Sequence, residues 1–252
     1  MDLHVPEFLY PFETATGAVN VVVAIALIWW GAARMAKERG QRLATAGILT
    51  AVVLAWFAIA EWLGRANAYW AVTHNPVPTI QFGIMIPIAI GLYGLIRAPR
   101  FARLVEAVPL WALVGVQLYR TLGAMFLVLW LDGRLPWQFA LPAGIGDIAT
   151  GVLAMVVAVL LAVGAQGAQR AAYLWCLFGI ADLVVAVTTG ALTSPGIMNL
   201  LSREAPNLLI TAFPLVMVPT FAVPLSIILH GLTLWRLQRD RLIEPASRLA
   251  LG

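Results

Sequence analysis

Long unbroken runs of apolar side chains dominate the chain, separated by short segments rich in Arg, Pro and Gly. A helix crosses a hydrocarbon core in about 20 apolar residues. Seven runs meet that length: residues 16–33, 43–64, 79–96, 108–131, 138–163, 171–193 and 207–235. Lipid offers no partner for an unpaired backbone amide, so each run predicts a helix. The alternating pattern of a membrane β-barrel does not occur. Pro87 falls in the third run, and Pro214, Pro219 and Pro224 fall in the seventh, each removing a backbone donor. The seventh helix is therefore expected to be kinked, tilted, or reached through a short irregular stretch.

Composition strengthens this reading. Hydrophobic residues make up 62% of the 252 and charged residues 11%, with a mean hydropathy of +0.89. An ordinary soluble domain carries roughly 25% charged residues. A secreted disulfide scaffold, a nucleic-acid-binding domain and a disordered tail are excluded, and nucleic acid is not an expected partner. The single cysteine, Cys176, forms no internal disulfide and fits no metal-binding spacing. The expected fold class is an all-α integral membrane protein. It is read as one membrane domain over residues 1–252, a seven-transmembrane-helix bundle in lipid, with a bacterial cytoplasmic membrane as the expected location.

Orientation follows from the cations. Arg34, Lys37, Arg39, Arg42, Arg97, Arg100, Arg103, Arg170, Arg236, Arg239, Arg241 and Arg248 fall on one side of the predicted bundle; only Arg65, Arg134 and Arg203 fall on the other. Cytoplasmic loops hold the excess of Lys and Arg, which predicts an external N-terminus and a cytoplasmic C-terminus. Trp62, Tyr69, Trp70, Trp130 and Trp137 gather near the outer boundary, and Trp29, Trp30, Trp111 and Trp235 near the inner one. Aromatic rings with one polar edge favour that depth. No basic segment precedes the first run, so a cleaved signal peptide is not expected.

The chemistry sits where charges should not be. Arg120 lies roughly 16–18 Å from either end of the fourth run at helical rise, Asp147 ten residues into the fifth and Asp182 eleven into the sixth. Consecutive helices run antiparallel, so all three reach one depth. A charge there is costly unless paired, and a guanidinium can bind two carboxylates at once. The Asp147 face reads Ala140, Ala143, Gly144, Thr150, Gly151 and Ala154, small residues that let a second helix approach. Two acids and one base leave unbalanced negative charge. Either one aspartate carries a proton, or a cation or ligand completes the site. Residues 144–148 and 179–183 share a Gly-Ile-x-Asp pattern, 35 positions apart, a short likeness that a duplication would produce. Gln117, Thr150, Asn20 and Glu61 are candidate binding residues around this centre. Glu61 also stands four residues before Arg65, which predicts a helical ion pair. His230 is expected near the cytoplasmic boundary with its hydrogen bonds satisfied. The segment 70–78, with His74 and two prolines, reads as a stiff connector.

Missing residues narrow the chemistry. The only lysine, Lys37, lies in a predicted loop, so no retinal Schiff base forms in the seventh helix. Three scattered histidines build neither a bis-histidine haem site nor a zinc or di-iron site. The sequence contains no HExxH, GxSxG or Walker-type glycine loop. No metal or cofactor is expected. In architecture alone, the seven-span size resembles small membrane terpene cyclases, which use carboxylates to protonate a hydrophobic substrate.

Three functions stay open on the sequence. The favoured one is a membrane-embedded enzyme doing acid/base chemistry on an isoprenoid- or lipid-like small molecule. Asp147 or Asp182 would be its acid, and Arg120 would hold the partner carboxylate. The second is a proton-coupled carrier of a small solute, with a homodimer as the natural form. The third is a structural or accessory subunit of a larger membrane complex.

Overall fold

The computed structural model describes residues 4–69, 79–196 and 198–249, with side chains to residue 240. The connector 70–78, including Trp70 and His74, lies outside the described residues. Among the described residues the regular structure is all helical, without strands, and seven helices are long and apolar enough to cross a membrane. These are α1 (Leu9–Arg34), α2 (Arg39–Arg65), α3 (Ile80–Arg97), α5 (Leu110–Leu131), α6 (Trp137–Ala162), α7 (Ala168–Thr193) and α8 (Val223–Leu249). A short amphipathic helix, α4 (Pro99–Ala107), stands between α3 and α5. The sequence had placed a plain loop there.

Polar and apolar residues are distributed inside out relative to a soluble protein. On α2 only Thr45, Ala46, Ala60 and Gly64 are buried, while Ile48, Val52, Ile59 and Trp62 are exposed. On α3 the exposed side chains include Phe82, Met85, Ile86 and Ile90. Arg120, Asp182, Gln117, Thr150 and His230 are buried instead.

Helix ends differ most from the ends of the apolar runs in α1 and α8. Helix α1 starts at Leu9, two turns before the first run, and so includes Glu13. The seventh run was expected to begin at residue 207. Residues 207–217 instead form an irregular stretch with one short 3-10 turn, Leu209–Thr211, before a π-helical turn at Val218–Ala222 leads into α8. Proline chemistry marks the entry into α8. Pro224 has no N–H to give the Thr220 carbonyl, and the Trp56 indole N–H donates to that carbonyl instead, at 3.3 Å.

Helix α5 is regular only at its ends. Residues Val116–Gly123 wind as a 3-10 helix, unusually long for that form. Side chains at i and i+3 eclipse in a 3-10 helix, so Gln117, Arg120 and Gly123 stand in one row. Helix α6 packs along α5 on one side and α7 on the other. Its small-residue stripe makes the close approach to α5: a Cβ at Gly144 would meet Leu127, and one at Gly151 would meet Thr121 and the Leu118 carbonyl.

At the Arg-rich end of the bundle, Arg236 and Arg239 tie α8 to α4. Arg236 of α8 donates to the carbonyls of Val105 (3.1 Å), Glu106 and Val108 (3.4 Å), the last acceptors of α4, and also to Asp240 at 3.1 Å. Arg239 pairs with Glu106 at 2.6 Å. Helix α4 is clamped against α1 as well, where Gly31 lies under Leu104 and Val108. Charge-assisted hydrogen bonds contribute about 1.5–3 kcal/mol each. Arg236→Ala is therefore expected to lower unfolding stability in detergent by about 2 kcal/mol. Arg236→Lys should recover only part, because an ammonium lacks the planar fork. Denaturant titration of the two purified variants checks both expectations.

Candidate functional site

Arg120 projects from the 3-10 row of α5 into the crossing of α6 and α7. Its Nε donates to Asp147 Oδ1 at 2.8 Å and its Nη2 to the same oxygen at 2.5 Å. The same Nη2 donates to Asp182 Oδ2, and Nη1 reaches the Gly179 carbonyl at 3.4 Å. The forked cation thus joins both aspartates and one main-chain acceptor. Side-chain exposure is 2% for Arg120, 7% for Asp182 and 17% for Asp147. The three ionisable groups that helical counting placed at one depth meet in space.

Two glycines make the meeting sterically possible. A Cβ at Gly146 would collide with the Asp182 carboxyl, and one at Gly123 would collide with the Asp147 carboxyl. Each carboxylate therefore lies flat on the backbone of the neighbouring helix. The Thr150 hydroxyl is beside Asp182, enclosed and without a hydrogen bond of normal geometry.

A cavity of about 50 Å³ adjoins the cluster. Glu13, Asn20, Tyr119, Arg120, Asp147 and Ser226 supply polar parts of its wall. Tyr119 Oη and Ser226 Oγ share a hydrogen bond of 2.7 Å. Asn20 is buried and its Oδ1 has no partner. Glu13 is 5% exposed, and no hydrogen bond or ion pair joins it to another described residue. Sequence reasoning missed Glu13 because it precedes the apolar run. Its signal was the spacing Glu13, Gly17, Asn20, Ala24, all buried on one face of α1.

The remaining candidates divide. Gln117 is fully buried below Arg120 in the 3-10 row, with neither Nε2 nor Oε1 paired. Glu61 stays at the surface, accepting from Arg65 at 2.6 Å while the Arg65 guanidinium rests 4.4 Å from the Phe213 ring. It does not line the cavity. The hydrogen bonds expected for His230 are not found: the ring is fully buried, tilted on Trp175 at 4.6 Å between ring centres, and neither nitrogen has a partner among the described residues. Gly179 leaves room for the ring against α7, whose main chain and Trp175 close over it. Among the described residues, no group of three or more His, Cys, Asp or Glu side chains is arranged to hold a metal ion.

Residues 77–238 match the model of a family described as Domain of unknown function (DUF8737). No curated protein matches the chain, and no solved structure does. The matched segment holds Arg120, Asp147, Asp182, Gln117, Thr150 and His230, whereas Glu13, Asn20 and Glu61 precede it.

Breaking a buried ion pair from one side costs about 3–5 kcal/mol, because the other charge is stranded. Arg120→Met is expected to destabilise the protein by that order. Adding Asp147→Leu and Asp182→Leu to it should recover most of the loss. Thermal unfolding of the single and triple variants in one detergent tests the coupling; equal stability of the two would contradict it.

Proposed function

The chain belongs to the DUF8737 family, and we propose that it is an integral membrane protein that carries a small solute in exchange for, or together with, a proton. In this reading the N-terminus is outside, the Arg-rich end is cytoplasmic and the membrane is a bacterial cytoplasmic membrane. The apolar exposure of α2 and α3 and the excess of cations at one end support it.

One observation carries the functional reading: three carboxyl groups and one guanidinium share a buried region with a cavity of about 50 Å³. Ionised together they leave two negative charges uncompensated, which a low-dielectric interior strongly opposes. Protons on the carboxyls neutralise the cluster within the space available. Small-molecule pockets occupy roughly 300–1,000 Å³, so the cavity as it stands suits water and a proton, and any larger solute needs it to open.

Arg120 keeps one carboxylate of the pair ionised and leaves the other to take up and release the proton. Loss of that proton tightens the hold of Arg120 on both aspartates; its gain frees the fork. The 3-10 segment of α5 and the π turn before α8 flank the cluster, and such irregular windings are places where a helix can change its packing. Opening of the cavity to the solute follows from that movement, in the manner of carriers with midplane sites.

Proteoliposomes loaded with a pH-sensitive dye test this. Amino acids, sugars and small organic ions are added outside in turn. The expected outcome is that at least one of them moves protons across the wild-type membrane. Asp147→Asn and Asp182→Asn should abolish that coupling while leaving solute-for-solute exchange, which transfers no net proton. Solute uptake with undiminished proton movement in both variants would overturn the proposal.

A further inference from the structure

Beyond the Arg120 cluster, one turn toward the Arg-rich end, four helices bring a second set of polar groups together. Gln117 precedes Arg120 on α5, Thr150 follows Asp147 on α6, Gly179 precedes Asp182 on α7, and His230 follows Ser226 on α8. Thr150, Gly179 and His230 are in direct contact. A Cβ at Gly179 would collide with the His230 ring at Nε2 and would stand 3.0 Å from the Thr150 methyl. The carbonyl of the same Gly179 accepts from Arg120. The Trp175 indole N–H donates to the Thr150 carbonyl at 3.0 Å, and its ring covers His230.

His230 and Gln117 are enclosed and unsatisfied: both nitrogens of the one and both polar atoms of the other lack partners among the described residues. The Thr150 hydroxyl, also enclosed, has only Asp182 beside it. Leaving one buried polar group unpaired costs about 1–3 kcal/mol, so two such side chains within a turn of the Arg120 cluster are not tolerated dry. Internal water is the usual partner of such groups. The surroundings of His230 are otherwise plain. Arg120 is the charge that acts on it from α5. Helix α7 presents Trp175, Cys176 and Gly179, α6 presents Thr150, and α3 presents Leu92 beside Gly231.

We propose that Gln117, Thr150 and His230 enclose a hydrated compartment on the far side of Arg120 from the Glu13 cavity, and that His230 relays protons between Asp182 and the Arg-rich end. Two polar compartments then meet at one guanidinium. A fixed cation in a narrow passage repels hydronium, so Arg120 blocks a continuous water wire and a proton crosses by way of the aspartates. The relay rests on the proton-coupled reading above; the hydrated compartment does not.

The chain has three histidines, which makes the test clean. In a His4→Gln, His74→Gln background, His230 is the sole histidine, and ring-nitrogen labelling reports it alone by NMR in lipid nanodiscs. Its ring N–H is expected to exchange with deuterated water far faster than the backbone amides of α8. Gln117→Leu with Thr150→Val should slow that exchange about tenfold by removing the groups that hold the water. A ring N–H that exchanges no faster than those amides would overturn the compartment. The relay is read separately in the dye-loaded vesicles. His230→Asn is expected to abolish proton movement and keep solute exchange. Full proton movement in that variant overturns the relay. Absence of proton movement in the wild-type protein overturns the carrier reading, and the exchange rate still decides the compartment.

Discussion

A guanidinium buried among apolar helices must be neutralised where it stands, and most of the interior is arranged around that requirement. Arg120 has one carboxylate from α6 and another from α7 within hydrogen-bond reach, with a main-chain carbonyl for its third donor. To bring them there, α6 must approach both neighbours closely enough that Gly123 and Gly146 tolerate no side chain. The unusual winding of α5 serves the same end, because the 3-10 row points Gln117, Arg120 and Gly123 along one line. The outer helices α2 and α3 have no such constraint and bury little.

Pairing alone does not balance the site. One cation faces two aspartates in contact, and Glu13 is across an adjoining cavity. Buried ion pairs are weak evidence for stability in themselves, so an excess of acid beyond what the pair needs calls for another explanation. Reversible proton binding supplies one without any group that the chain lacks. The polar atoms on the other side of Arg120 extend the same logic, since they too are buried beyond what packing requires.

Much of this was legible in the sequence. Counting residues along antiparallel helices put Arg120, Asp147 and Asp182 at one depth, because each lies near the middle of a well-bounded run. The small stripe around Asp147 was legible as a close-packing face for the same reason. Glu13 was missed because an apolar run ends at the first charge, while the helix, satisfied by its own hydrogen bonds, starts at Leu9. The missing partners of His230 were not legible, because residue type gives no sign that Gly179 and Trp175 close over the ring. The amphipathic α4, with Arg100, Arg103 and Glu106 on a nine-residue helix, is too short and too charged for a criterion based on apolar length. The 3-10 winding of Val116–Gly123 has no signature in residue type.

The central claim is that the buried cluster holds a proton at neutral pH. Infrared spectroscopy of the protein in lipid, with carbon-13 placed in the side-chain carboxyls of aspartate, reads this directly. The account predicts a protonated carboxyl C=O stretch at neutral pH, from one of the two aspartates or from Glu13, that Asp147→Asn or Glu13→Gln shifts or removes. A spectrum with every carboxyl ionised would contradict it.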